Sequence, residues 1–549
     1  MPNRIKKAKP VKRAGLDPAR RARIEQALAR GDIQGAAGVA EAALAAGQVD
    51  PLVLNLAAWR REESGDYPGA HRLLKQALAL SPGDILVLGA IGAVLRKEHR
   101  LEEAVAVLDR VVATEPRHSA AWLERGYTLE ALRSETAAIE SYKRALAVDP
   151  NLAPALGKLA DIAAKKGERD SAKAYADRAL AIDPGNPSAT FAVAALEIEA
   201  GEGGPAAARL ERLLGTALMP EDRTRTLTLL GDALDKQGRC PEAFDAWAEA
   251  QRNFRSTYAP MLEPGPDRPS HRAFIEAIAA QVERSPPMAA PLPTARGPAA
   301  GHVFLLGYPR SGTTLVENIL ASASKVVALE ERDTLADTDG RLVANDGAMP
   351  DLDALDPALL DELRAGYWSR VARMAGDVAG RVFVDMNPLN GIKLPIIARL
   401  FPEARILIMR RDPRDVILSC YRINFTPSPA AFAFSDLEEA ARHYDSLMGL
   451  IELCRERLAL ACHEVWYHRL VGDFEPTVRA MADFVGLEWT DAFHAFDRTA
   501  QARGVRTASA AQVRRGLYDG RGGWRRYESQ LAPALPILEP WVERFGFEP

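Results

Sequence analysis

Residues 308–315, Tyr–Pro–Arg–Ser–Gly–Thr–Thr–Leu, lie between the apolar stretch HVFLLG (302–307) and a run with helical spacing. Gly307, four intervening residues and then Gly312–Thr313–Thr314 follow the frame of a nucleotide-triphosphate loop, except that Thr313 stands where that loop carries its lysine. Such a loop still holds an oxyanion. The backbone N–H groups of residues 311–315, from Ser311 to Leu315, are expected to surround it, and a helix N-terminus favours negative charge. Arg310 adds a guanidinium that forks onto phosphate or sulfate oxygens. The hydroxyls of Ser311, Thr313 and Thr314 add donors. No acidic residue follows a later strand where a Mg²⁺ ligand would stand, so the loop suits a phosphate ester without a metal, and no metal site is expected.

A second run, ILIMRRDPRDVILSCY (406–421), reads as strand, turn and helix. The helix entered after Asp412–Pro413 brings Ser419 back toward the strand end that carries Arg411. Arginine plus hydroxyl makes a second anion site. Two anion sites at adjacent strand ends fit a nucleotide phosphorylated in two places.

Both runs need strands that end side by side. HVFLLG (302–307), RVFVDM (381–386), ARILIMR (404–410) and HEVWYH (463–468) are short, rich in β-formers and separated by helical runs. This pattern predicts a parallel sheet with crossover helices on both faces.

Upstream the pattern is different. Pro82, Pro116, Pro150 and Pro184 recur at 34-residue intervals. In the segment 119–152, Trp122, Gly126, Ala138, Tyr142, Ala145 and Pro150 occupy positions 4, 8, 20, 24, 27 and 32, which is the tetratricopeptide (TPR) pattern. Small residues at 8 and 20 let two helices approach, large ones at 4 and 24 are expected to fill the space toward the next repeat, and proline stops the second helix. About seven repeats are expected, with the first and sixth irregular. The fold class is therefore multidomain: a basic tail (1–16), an all-α TPR solenoid (17–256), a capping helix with a Pro-rich linker (257–300) and an α/β domain with a P-loop-like turn and a central parallel sheet (301–549). The solenoid groove is expected to bind a protein or peptide, or to serve as a spacer or a homodimer surface.

At 549 residues and net charge −4 the chain is too long for a single core and does not suggest a nucleic-acid partner. Its four cysteines lack metal-ligand spacing and fit a reducing, cytoplasmic compartment, with Cys454 and Cys462 read as core residues of one helical run. The tail MPNRIKKAKPVKRAG has six basic residues and no apolar core, and no membrane span is expected.

YPRSGTTL resembles the 5′-phosphosulfate loop of sulfotransferases, and RDPRDVILS (411–419) resembles their 3′-phosphate motif. The layout is similar to the bacterial TPR-sulfotransferases, and the catalytic part also resembles tyrosylprotein sulfotransferases, with LEER (329–332), MNPLN (386–390) and GWRRY (523–527) in agreement. The resemblance covers about 300–535 plus the repeats. It implies 3′-phosphoadenosine 5′-phosphosulfate (PAPS) as co-substrate and sulfuryl transfer to a hydroxyl. It implies Glu331 as general base, Arg310 against the charge on the leaving oxygen, and Arg411 and Ser419 on the 3′-phosphate. Ser509 and Arg515 fall near the nucleotide. Trp524 reads as core rather than as an adenine platform. The family's Asp–Lys–x–Pro is here Asp385–Met386–Asn387–Pro388, which removes a lysine from the sulfuryl group. Two activities stay open: a PAPS-dependent transferase whose repeats recruit a protein or peptide acceptor, and a degenerate scaffold that keeps binding of PAPS or adenosine 3′,5′-bisphosphate.

Overall fold

A computed structural model describes residues 15–287, 297–503, 516, 517 and 519–548. Most of the basic tail, much of the Pro-rich linker and the candidate residues Ser509 and Arg515 lie outside the described residues. The chain forms two compact units, one of residues 1–163 with 169–192 and one of 164–168 with 193–549.

The first unit is helical. Its helices run in pairs, such as Tyr67–Leu80 after Pro51–Glu63 and Glu135–Val148 after Ser119–Ala131. Asp17, Asp32, Asp50, Asp66 and Asp84 each N-cap a helix through a carboxylate that accepts a backbone N–H. Second helices end at Leu80, Thr114, Val148 and Ile182, each two residues before a 34-spaced proline. The residue before proline is disfavoured in helical conformation, so the stop is local.

Position 8 must be small because position 24 of the same repeat sits on it. A Cβ on Gly126 would lie 2.3 Å from the Tyr142 ring, and one on Gly92 would lie 2.6 Å from Leu108. Tyr142 also shares an apolar cluster with Ala155 and Leu159 of the next repeat, as expected for position 24. Among the described residues the array comprises seven helix pairs between Pro18 and Leu262. The boundary of the compact units falls inside the helix Pro187–Ala200, so the helices Gly203–Leu214, Pro220–Lys236 and Cys240–Leu262 belong to the second unit.

The rest of the second unit is built on a five-stranded parallel sheet in the order β2-β3-β1-β4-β5. The strands are β1 (Gly301–Leu306), β2 (Val326–Glu330), β3 (Val382–Met386), β4 (Arg405–Arg410) and β5 (Ala461–Trp466). The strand Val326–Glu330 was not among the four read from sequence. Side chains alternate between two apolar layers. Val303, Leu305, Val384, Leu407 and Met409 face one, with the helices Thr313–Ala321 and Phe474–Val485. Phe304, Leu306, Phe383, Ile406 and Ile408 face the other, with Pro413–Tyr421 and Leu437–Arg457. Burial on both faces explains why these strands read as continuous apolar runs.

The helix His271–Arg284, expected as a cap for the solenoid, seats Ile275, Ile278 and Val282 in this second layer. Its Arg272 pairs with Glu439 at 3.0 Å, and its amphipathic face is used on the α/β core. Cys454 is buried on the helix Leu437–Arg457, but Cys462 lies on β5, so the two do not share a helical run. Among the described residues no helix is long and apolar enough to cross a membrane.

Candidate active site

The described candidate residues gather at the carboxyl edge of the sheet, where a parallel α/β fold places its binding crevice. The chain leaves β1 at Leu306, turns through residues 307–312 and enters the helix Thr313–Ala321. Both glycines of the turn are forced. A Cβ on Gly307 would lie 2.8 Å from the Met409 carbonyl oxygen. Gly312 has φ +113°, and a Cβ there would meet Met409 at 2.9 Å and Tyr467 at 3.1 Å.

Inside the turn, Ser311 N–H is committed to Tyr308 O and Leu315 N–H to Gly312 O. The cradle is therefore narrower than the five amides expected from sequence. The Ser311 hydroxyl is buried and has no hydrogen-bond partner among the described residues. A buried polar atom without a partner costs about 1–3 kcal/mol, so this oxygen suits an anion held in the loop. Thr313, Thr314 and Leu315 are also buried.

Arg310 ties the two expected anion sites together. Its Nε donates to Ser419 Oγ at 3.0 Å, and its carbonyl accepts from Arg411 Nη1 at 3.0 Å. Arg411 also donates through Nη2 to Gly520 O at 2.7 Å, and its guanidinium lies 4.7 Å from the centre of the Tyr467 ring. Its Nε is buried without a partner among the described residues. Burial pushes the Arg310 guanidinium down to about 10, Arg411 and Arg422 add to the fall, and the Glu331 carboxylate opposes it. The group stays charged at neutral pH, as an anion site requires.

Glu331 stands one residue past β2, exposed, with its N–H on Met386 O at 2.7 Å. Among the described residues four non-glycine positions have positive φ: His99, Arg133, Arg310 and Glu331. The first two are turns between helices. The other two are the residues the motifs mark as catalytic, at φ +71° and +44°. Such backbone costs about 1–3 kcal/mol, and it clusters at functional sites.

Met386 is fully buried, in the apolar layer with Val384 and Leu305. Lys393, seven residues on, is bound by Asp339 at 2.5 Å and Asp333 at 3.2 Å, so its charge is already engaged. Trp524 is buried with the Arg414 guanidinium 4.0 Å from its ring centre, as expected for a core residue. Asp415 accepts from the N–H groups of Gly522 and Trp524 at 2.8 and 3.0 Å, which fixes the GWRRY segment on the helix Pro413–Tyr421.

Two groups escaped the sequence reading. Glu317, on the helix after the loop, is fully buried and takes Arg503 Nη2 at 2.7 Å on Oε1. Burial pushes its carboxyl up to about 7; Arg503 opposes the rise, and Glu330 and Glu331 assist it. An acid inside the apolar run TTLVENIL was the available signal. Asp385 accepts from Thr334 Oγ1 at 2.6 Å and from the Tyr367 hydroxyl at 2.8 Å, and burial raises it to about 6. His302 Nε2 lies 2.8 Å from that tyrosine oxygen.

Residues 302–491 match the sulfotransferase family, and residues 62–124, 119–152 and 136–187 match tetratricopeptide repeats. An uncharacterized protein of Aquifex aeolicus is 29% identical over 342 residues, covering 60% of this chain and 43% of that protein. Protein-tyrosine sulfotransferase 2 of Gallus gallus is 26% identical over 34% of this chain and 52% of its own length. The chain thus spans about half the length of these curated relatives. A tetratricopeptide repeat protein of Parabacteroides merdae aligns with TM-score 0.33 at 17% identity, over 43% of this chain and 91% of that one. The chain carries tetratricopeptide repeats followed by a sulfotransferase-family domain.

Proposed function

We propose that the domain transfers a sulfuryl group from PAPS to a hydroxyl acceptor, which the repeats recruit as a protein or peptide. The observation that carries this reading is the Arg310–Ser419 hydrogen bond, which joins the loop after β1 to the helix after β4. With Arg411 on the same cluster, the arrangement suits one nucleotide bearing a 5′-phosphosulfate and a 3′-phosphate. In the reaction the acceptor oxygen bonds to sulfur, and the bond from sulfur to the bridging phosphate oxygen breaks. The acceptor proton goes to Glu331, and adenosine 3′,5′-bisphosphate leaves. Arg310 and the loop amides meet the charge on the departing oxygen, an effect of about 2.7–4 kcal/mol per preorganised donor.

A second reading, a binding protein without turnover, is favoured by one feature: the buried Met386, with Lys393 held by two carboxylates. Calorimetry with adenosine 3′,5′-bisphosphate and with ATP in the presence of a chelator, followed by release of bisphosphate from PAPS, separates the readings. Tight bisphosphate binding with turnover supports the transferase. Binding without turnover supports the scaffold. Equal affinity for ATP, or a need for Mg²⁺, refutes both.

A further inference from the structure

The helix Pro413–Tyr421 has nine residues, and Ser419 is in its last turn. The last carbonyls of a helix lack intrahelical partners, so a short helix frays there unless something outside holds it. Here the last helix pair of the repeat array does so. Gln251 Nε2 donates to Tyr421 O at 2.5 Å. The Phe244 ring stacks on Tyr421 with centroids 5.4 Å apart. The next residue, Arg422, caps the helix through its N–H on Leu418 O, and its guanidinium is clamped. It reaches Asp232 at 2.9 Å and Asp235 at 3.3 Å, and lies 4.4 Å from the centre of the Trp247 ring. Asp235 also accepts from the Tyr527 hydroxyl at 2.6 Å and pairs with Arg526 at 2.9 Å. Burial pushes the Asp235 carboxyl up, but Arg422, Tyr527 and Arg526 together outweigh it and hold the group charged.

We propose that Arg422 is a positioning residue for the 3′-phosphate site: gripped by Asp232 and Asp235 of the last repeat, it fixes the turn that carries Ser419. The inference rests on reading Arg411 and Ser419 as holders of a 3′-phosphate. It gives the end of the repeat array a task other than recruiting an acceptor. An isolated sulfotransferase-like half, cut from residues 220–262, would then keep every motif residue yet lose the order of one of its two anion sites. Phe244, Trp247 and Gln251 supply packing to the same turn, but only the clamp on Arg422 is ionic, so it can be loosened by one charge without opening a cavity.

The test is calorimetry on the full chain with adenosine 3′,5′-bisphosphate and with adenosine 5′-monophosphate, the ratio of the two dissociation constants reporting what the 3′-phosphate contributes. Arg422→Gln should shrink that ratio about tenfold, because part of a charge-assisted contact is lost, while 5′-monophosphate affinity moves less than about twofold. Arg422→Lys, which keeps the charge between the two aspartates, should restore most of the ratio. A loss shared equally by both nucleotides, or an unchanged ratio in a folded variant, overturns the inference. Where Arg422→Gln does not fold, judged by circular dichroism, the near-isosteric Asp232→Asn takes its place with the same expectation. A wild-type ratio near one would instead refute the 3′-phosphate reading itself, so the two failures are distinct.

Discussion

The helix pairs 119–148 and 220–262 follow the same frame, and they have different surroundings. In each, a glycine at position 8 lies under an aromatic ring from position 24: Gly126 under Tyr142, and Gly231 under Trp247. The Tyr142 hydroxyl then turns to Glu130 of its own repeat, at 2.8 Å. The Trp247 ring instead lies against Arg422 and, at 5.4 Å between centroids, against Tyr527. One pattern thus makes a solenoid layer in the first unit and a wall of the α/β unit in the second. The difference comes from residues outside the repeat signature, such as Asp232, Asp235, Phe244 and Gln251. A repeat frame specifies how two helices touch each other and is silent about what the outer face of the pair will meet.

If the nucleotide chemistry is confined to the second unit, changes there should leave the first untouched. The largest effect is expected from Glu331→Gln. Loss of a general base should slow sulfuryl transfer by about 10²–10⁴, with nucleotide affinity and the protection of amides in 119–148 unchanged by hydrogen exchange. Arg411→Ala should come next. A charged hydrogen bond contributes about 1.5–3 kcal/mol, so bisphosphate affinity should fall roughly 10- to 100-fold with an intact melting curve. An unchanged dissociation constant would remove Arg411 from the anion site.

The paired glycines give a direct contrast. Each added Cβ would start 2.3 Å from its aromatic partner, so Gly126→Val and Gly231→Val should each cost about 1–3 kcal/mol through overpacking. Only Gly231→Val should also weaken nucleotide binding, because Trp247 touches Arg422. Equal nucleotide losses from both would show that the two units are not separable in function.

How much of this was legible follows from the range of each interaction. The loop after β1 could be read because its chemistry is local: Gly307, Arg310, Ser311 and Gly312 lie within six residues, and steric need alone fixes the glycines. That Arg411 and Ser419 share one strand–turn–helix run was visible as spacing, but the bond from Arg310 to Ser419 joins residues 109 apart and was not. The strand Val326–Glu330 was missed because only four residues separate it from the end of the helix Thr313–Ala321, so its apolar run Val326–Leu329 reads as a continuation of the helical segment. The helix His271–Arg284 was assigned a solenoid role because an amphipathic stripe states that a face is buried and not what it is buried against.

Glu317 sharpens the contrast by pH. Its ordinary value is 4.5, and burial raises it to about 7 in the folded chain. The folded state therefore binds the proton more tightly than the unfolded state does. Stability associated with this group is full below about 4.5 and is lost as pH rises through about 7. Glu317→Gln removes that titration. Its stability relative to wild type should rise by about 1–3 kcal/mol between about pH 5 and about pH 8 in urea unfolding. A difference that stays flat, or falls, would show that Arg503 keeps Glu317 ionised throughout.

The smallest effect belongs to the outer face of the solenoid. Arg144 and Glu140 pair at 2.9 Å across one helical turn, with side chains 62% and 58% exposed. In high dielectric two such charges gain little, and ordering two long side chains offsets part of it, so a pair of this kind contributes about 0.3–0.5 kcal/mol. Arg144→Gln should therefore shift the unfolding midpoint slightly, and the shift should vanish at about 1 M salt, where screening acts within about 3 Å. Nucleotide affinity should not change, because Arg144 points away from its own repeat core and belongs to the first unit. The clamped Arg422 differs in each respect: it is half-buried, faces two carboxylates and an indole, and resists screening. If Arg144→Gln moved bisphosphate binding as much as Arg422→Gln, position in the array would not matter, and the last repeat would lose its distinction from the fourth.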